Sequence, residues 1–195
     1  ALPRPWHLIA HSMGAAIGLR ACLSGLPVAS AVFSGPMWGI RLAPAMRAAA
    51  WAVASAARPL GLSGRVVPTA SAQDDILAIP FEDNVLTTDP AMYAWMQAQT
   101  RTHPDLALGP PSLGWLLEAL RECRALARID DPGVPTLTVI PGDERIVCPR
   151  AMRRAADRWP RARLLEIPGG RHETMMETAA RRTLFFDRVA AHFRA

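Results

Sequence analysis

Residues 6–23 read WHLIAHSMGAAIGLRACL, and this stretch decides how the rest of the chain is understood. Trp6-His7-Leu8-Ile9-Ala10 is a short apolar run bounded by Pro5, which suits a buried strand. It passes through His11-Ser12-Met13-Gly14 directly into Ala15–Leu23, whose composition reads as helix. A strand that turns sharply into a helix pushes the serine at the turn out of the sheet top. A serine hydroxyl is a poor nucleophile unless it is exposed, positioned and served by a base. Small residues two positions either side relieve the crowding of such a turn; here they are Ala10 and Gly14, where the common form has glycine in both places. The helix N-terminus would offer the Met13 amide to a developing oxyanion. The plainer reading of the same residues is a strand–turn–helix junction in which Ser12 caps the helix.

Working outward, Ser30-Ala31-Val32-Phe33 reads as a second strand, closed by Ser34-Gly35-Pro36. Thr136–Ile140 is β-branched and stops at Pro141-Gly142, and Ala162–Ile167 stops at Pro168-Gly169-Gly170. A helix is expected around Arg150–Arg158, and another over Thr174–Phe193, where Phe186, Val189 and Phe193 recur at helical spacing. Strand and helix alternate, which predicts an α/β fold on a parallel sheet. Between Ile40 and Ile129 the alternation stops. Met92, Trp95, Met96 and Gln99 mark one helix face there, and Leu113, Leu116, Leu117, Leu120 and Cys123 another, separated by proline-rich turns. The predicted organisation is residues 1–40 as core, 41–129 as a helical insertion and 130–195 as core again.

Composition removes other classes. Of the 195 residues, half are hydrophobic and a fifth charged, which excludes a disordered or solvating chain. The weakly polar run Ala48–Ala57 is too short to span a bilayer, is flanked by Arg47 and Arg58, and reads as a buried or cap helix. The net charge is +5, yet all 22 cations are arginine and they are scattered among apolar and acidic residues. No segment interleaves basic and aromatic residues as a nucleic-acid reader would, so no nucleic-acid partner is expected. Cys22, Cys123 and Cys148 are widely spaced without a CxxC or a neighbouring histidine pair, which points to reduced thiols and to neither a metal nor a disulfide framework.

The chain order for an elbow of this type is serine, then an acid, then histidine. Gly142-Asp143-Glu144-Arg145-Ile146-Val147 follows the third strand, and Gly169-Gly170-Arg171-His172-Glu173 follows the fourth. Sites in open α/β sheets collect at the carboxyl ends of the strands, where all three groups would lie. His172 is therefore the candidate base, while His7, His103 and His192 read as structural. His11 flanks the elbow and is given no chemical role.

These motifs resemble a known family. HLIAHSMGAAIGLRA with AVFSGPMWGI is similar to the α/β-hydrolase group of bacterial lysophospholipases and monoacylglycerol lipases, to which the serine aminopeptidases are related. NVLTTDPAMYAWMQAQTRTHPDLALGPPSLGWLLEAL looks like that group's cap, and PGDERIV and GGRHETMMET like its acid and histidine loops. The resemblance runs from about His7 to Phe193. It implies an α/β-hydrolase fold with a helical cap insertion, Ser12 as nucleophile and His172 as general base. By register Glu144 is the triad acid, with Asp143 one residue earlier as the alternative. No metal or organic cofactor is implied.

The expected activity is hydrolysis of a lysophospholipid or monoacylglycerol-like ester, at a cytoplasmic or peripheral membrane location. Met37, Trp38, Met92, Trp95, Met96 and Trp115 are candidates for an acyl pocket, although their spacing suits helix packing better. The arginines of residues 150–163 could meet anionic headgroups, but read more simply as a solvated helix face. Two rivals remain at this point. One is an aminopeptidase with the same triad, needing an acidic group such as Glu82, Asp83 or Asp89 to hold a free amine. The other is a non-catalytic lipid-binding module. Because the elbow strand comes first in the chain while the family places other strands before it, the chain is further expected to be an N-terminally truncated piece, inactive and poorly soluble alone.

Overall fold

The computed structural model describes residues 3–68 and 76–195. Contacts divide the chain into two units, one of Ala1–Arg41, Val85–Thr88 and Cys123–Ala195, the other of Leu42–Asn84 and Asp89–Glu122.

The first unit is built on four strands: β1 (His7–His11), β2 (Ser30–Ser34), β3 (Thr136–Pro141) and β4 (Ala162–Ile167). They lie in the order β1-β2-β3-β4 and every pairing is parallel, as the alternating pattern requires. Helix α1 (Ser12–Leu23) joins β1 to β2, α5 (Pro149–Arg158) joins β3 to β4, and α6 (Ala179–Phe193) follows β4. β2 and β3 are buried along their whole length, the polar Ser30, Ser34, Thr136 and Thr138 included, as central strands of a parallel sheet are. β1 has one strand neighbour among the described residues, and its Ile9 is 40% exposed.

Side chains of successive strand residues leave on opposite faces. Val32 joins Leu137, Val139 and Ile167 in a core closed by Phe185 and Val189 of α6. Phe33, the next residue, points the other way, toward α1 and the edge of Trp38, which in turn meets Trp159 at 4.8 Å between ring centroids. Full burial of each such side chain stabilises by about 1.5–3 kcal/mol. Helix α1 lies close on the sheet because Gly18 has no side chain: a Cβ there would stand 3.0 Å from Leu8 Cδ2 and 3.1 Å from Ala10 Cβ.

Two expectations for α6 need correction. The buried stripe is Phe185, Val189 and His192, while Phe186 is half exposed with its ring packed edge-on against Phe185. The helix also begins at Ala179 and not at Thr174. Thr174–Met176 forms a single 3₁₀ turn, and Glu177 and Thr178 are extended because the Glu177 side chain turns inward to bind the backbone.

The second unit contains α2 (Pro44–Ala57), α3 (Pro90–Thr102) and α4 (Leu113–Leu126) as far as Glu122. Asp89 caps α3, its carboxylate accepting from Ala91 N at 2.9 Å and Met92 N at 3.1 Å. The predicted α4 stripe of Leu113, Leu116, Leu117, Leu120 and Cys123 is buried. In α3 it is Tyr93 that is buried, its hydroxyl donating to the Ile79 carbonyl, whereas Trp95 is half exposed. The alanine-rich run, expected as a buried or a cap helix, forms α2, of which only Ala54 and Ala57 are buried, so the buried alternative does not describe most of its length. Among the described residues no helix is long and apolar enough to cross a membrane.

Candidate active site

Parallel register brings four loops to one edge of the sheet. His11 lies opposite Ser34, Ser34 opposite Val139 and Val139 opposite Leu165, so the segments following these strands emerge side by side. The first is the elbow. Ser12 has φ +52°, and it is the one non-glycine residue with positive φ among those described. That conformation is costly for a residue with a Cβ, and such strain concentrates at functional sites. The Ser12 carbonyl accepts from Met37 N at 3.0 Å, tying the turn to the loop after β2. A Cβ at Gly14 would meet nothing within 4 Å among the described residues, so crowding shows on the Ala10 side of the turn, against Gly18.

The loops after β3 and β4 bring the other predicted residues to Ser12. Ser12 Oγ lies 2.9 Å from His172 Nε2, and His172 Nδ1 lies 2.7 Å from Glu144 Oε2. A carboxylate only accepts, so Nδ1 carries the proton and the Nε2 lone pair is left to accept from the serine hydroxyl. The tautomer able to accept a proton from Ser12 is thereby selected. His172 and Glu144 are both buried, and the ring rests on Gly35, where a Cβ would stand 3.4 Å from the imidazole.

The acid loop separates its two carboxylates cleanly. Glu144 Oε1 accepts from Ile146 N at 2.7 Å and Val147 N at 3.2 Å, leaving Oε2 for His172. Asp143 turns outward and forms a two-point pair with Arg145, at 3.0 and 2.9 Å, whose guanidinium it holds above its ordinary pKa by hydrogen bonding and charge. Glu144 and not Asp143 therefore faces the imidazole. Gly142 allows the acid loop to sit on the histidine loop: a Cβ there would be 2.7 Å from Gly169 N.

Four further interactions escaped the sequence reading. His11, to which no role was given, places Nδ1 3.0 Å from the Ser34 carbonyl and Nε2 3.0 Å from Glu173 Oε1. Its ring lies 4.7 Å from that of His172. Burial pushes the Glu173 carboxyl up, but the hydrogen bond and charge of His11 and the charge of His172 outweigh it, so the net direction is down. Ser34 Oγ and Thr174 Oγ1 are 2.7 Å apart. The consecutive loop residues His172, Glu173 and Thr174 are thus bonded in turn to Ser12 at the start of α1, His11 at the end of β1 and Ser34 at the end of β2. Their only trace in the sequence is adjacency, since His11 precedes Ser12 and Glu173 follows His172. Of the residues considered for an acyl pocket, Met37 and Trp38 are buried, with Trp38 packed among aromatic rings, and Trp95 and Trp115 are partly exposed.

A strained serine at a strand–helix turn, bonded to a histidine and through it to a glutamate, on a parallel sheet, agrees with what the chain matches. Residues 2–179 match the model of the family described as serine aminopeptidase, S33. The chain belongs to that family. It is similar to lysophospholipase L2 of Escherichia coli K12, with 28% identity over 204 residues that cover 98% of this chain. The chain spans 59% of the length of that relative. Among solved structures it resembles a soluble variant of Saccharomyces cerevisiae monoglyceride lipase in complex with a substrate analog, at TM-score 0.70 and 18% identity over 98% of this chain and 65% of that one. It also resembles Paleococcus ferrophilus monoacylglycerol lipase, at TM-score 0.67 and 15% identity over 96% and 68% of the two chains. These structural likenesses establish the α/β-hydrolase fold.

Proposed function

We propose that this protein is a lipolytic serine ester hydrolase acting on a lysophospholipid or a monoacylglycerol-like ester. The observation that carries the reading is the Ser12–His172–Glu144 chain of hydrogen bonds, with Ser12 held at positive φ. The names of the lysophospholipase and monoglyceride lipase relatives support the substrate class.

In the mechanism, Ser12 Oγ attacks the ester carbonyl carbon while His172 Nε2 takes the hydroxyl proton. Glu144 holds the imidazole in the required tautomer and balances the imidazolium that forms. The carbonyl oxygen becomes an oxyanion at the N-terminus of α1, where the Met13 amide is the proposed donor; one such donor is worth about 10²–10³ in rate. Collapse of the tetrahedral species breaks the bond to the alcohol oxygen, which leaves with the proton from His172. Water then gives a proton to His172 Nε2 and its oxygen to the acyl carbon; collapse of this second tetrahedral species breaks the bond to Ser12 Oγ, which takes the proton back from His172 as the fatty acid leaves.

The family's own description favours a second reading, an aminopeptidase using the same triad. It needs a carboxylate to hold a free amine, and one of the three predicted for that task, Asp89, is already engaged in capping α3. The test is labelling of Ser12 by a fluorophosphonate probe, competed by lysophosphatidylcholine, monoacylglycerol or aminoacyl amides. Competition by the first two supports the ester reading. Competition by the amides alone overturns it in favour of the peptidase, and no labelling of Ser12 supports the non-catalytic module.

A further inference from the structure

We propose that His11, His172 and Glu173 form a binding site for a divalent zinc-class cation, and that occupation of this site withdraws His172 from Ser12. The cation site is independent of the hydrolase reading; its inhibitory consequence rests on that reading.

One ligand atom from each of the three side chains lies within 4.8 Å of the other two. Two imidazoles and a carboxylate are a common zinc donor set that leaves a fourth position open. The arrangement behind the ligands carries the inference further. His11 donates Nδ1–H to the Ser34 carbonyl at 3.0 Å, and His172 donates Nδ1–H to Glu144 at 2.7 Å. A histidine bound to zinc through one nitrogen characteristically donates the other N–H to a carbonyl or carboxylate, which fixes the ring and the tautomer. Both histidines meet that condition, so each keeps Nε2 as its ligand atom. Glu173 Oε1 already stands 3.0 Å from His11 Nε2.

Tetrahedral ligation at about 2.0–2.1 Å places ligand atoms roughly 3.4 Å apart, so the widest of the present separations must close by about 1.4 Å. The histidine loop follows β4 and the elbow follows β1, so the ligands come from two neighbouring loops, and the fourth position would fall to water. His11 and Glu173 retain 19% and 25% side-chain exposure, which gives the ion a route of entry that the buried His172 alone would not offer. Imidazole donors select zinc, copper or nickel over magnesium and calcium, which prefer oxygen. On binding, the proton shared between His11 and Glu173 is released to solvent, two nitrogen–metal bonds and one oxygen–metal bond form, and the Ser12–His172 hydrogen bond breaks. Ser12 keeps its proton and has no base.

Metal-free protein is titrated with Co²⁺, read by the visible absorption of tetrahedral cobalt, and with Zn²⁺ in competition. Separately, Zn²⁺ is tested for protection of Ser12 against the fluorophosphonate probe. One equivalent is expected to bind and to protect. Glu173→Gln and His11→Ala are each expected to weaken binding by about 100-fold or more, since removing a ligand costs at least as much as removing the group behind it. Ser12→Ala should bind as the unaltered protein does, and cooperative thermal unfolding of each variant guards against misfolding. Absence of the cobalt band, or an affinity in both ligand variants equal to that of the unaltered protein, overturns the site. Binding with the stated dependence in a protein that hydrolyses no ester would leave the site standing and remove the hydrolase reading. Hydrolysis that is insensitive to Zn²⁺ would do the reverse.

Discussion

Replacing Glu177 with alanine should be among the most damaging single changes outside the triad. Its side chain is fully buried, and its two oxygens accept five hydrogen bonds. Oε1 takes Thr88 N at 3.0 Å and Arg171 N at 2.8 Å; Oε2 takes Thr88 Oγ1 at 2.6 Å, Thr178 N at 3.2 Å and Arg181 Nη1 at 3.1 Å. Alanine leaves the Thr88 and Arg171 amides without their acceptor and Arg181 without its counter-charge. At about 1–3 kcal/mol for each stranded buried donor, partly offset by water entering the space, the expected loss is about 3–4 kcal/mol. That is a large share of the roughly 5–15 kcal/mol that holds a domain folded. Glu177→Gln keeps the shape but turns an NH₂ toward donors, for an expected loss of about 2 kcal/mol.

The pH dependence gives a second handle on the same residue. Burial raises the Glu177 carboxyl, but the hydrogen bonds from Arg171 N, Thr88 Oγ1, Thr88 N and Thr178 N outweigh it, and the net direction is below the ordinary 4.5. A carboxylate whose pKa is lower folded than unfolded contributes stability fully above its unfolded value and loses it as pH falls through the folded value. The gap between the protein and Glu177→Gln, measured by urea unfolding, should therefore be widest near pH 7 and shrink below about pH 4.5. Because Arg171 adjoins His172, probe labelling of Ser12 should slow as well. A stability change under about 1 kcal/mol for Glu177→Ala, or a Gln gap that grows on acidification, would refute the reasoning.

Three shorter predictions concern the site. Glu144→Gln should lower ester turnover far more than Asp143→Asn, because Glu144 bonds His172 whereas Asp143 pairs with Arg145; steady-state kinetics giving the opposite ranking would move the acid to Asp143. Ser12→Ala and His172→Ala should each remove nearly all hydrolysis, with the double variant scarcely worse, since triad members act as a unit; independent multiplicative losses in kcat would count against the mechanism. Gly142→Ala should destabilise by about 1–3 kcal/mol, because its Cβ would meet backbone at Gly169 N and Ile167 O that cannot swing aside, and a denaturation midpoint unchanged from that of the parent protein would contradict the packing of the two loops.

Much of the sheet was legible because its signals are local. The run Trp6–Ala10, the β-branched Thr136–Ile140 and the Gly-Gly stop after Ile167 each mark a strand end within a few residues, and parallel pairing follows from the helices between them. The sequence order serine, acid, histidine likewise located the three loops that converge. Helix faces were less legible: Phe185 and Phe186, or Tyr93 and Trp95, are near-equal in hydrophobicity, and only the position of the partner surface decides which one turns inward. The same holds for Glu177, whose side chain delays the start of a predicted helix by binding Thr88, 89 residues earlier.

From the sequence alone came the elbow, the strands and the identity of the groups able to act as nucleophile, acid and base, since backbone propensity and residue chemistry act over a few neighbours. The family register already favoured Glu144 over Asp143, but only the tertiary structure turned Glu144 toward His172 and Asp143 toward Arg145, set Ser12 at positive φ and joined His11 to Glu173 across 162 residues. Those outcomes depend on which way adjacent side chains point once strand register is fixed, and register is a property of paired strands that no single segment carries.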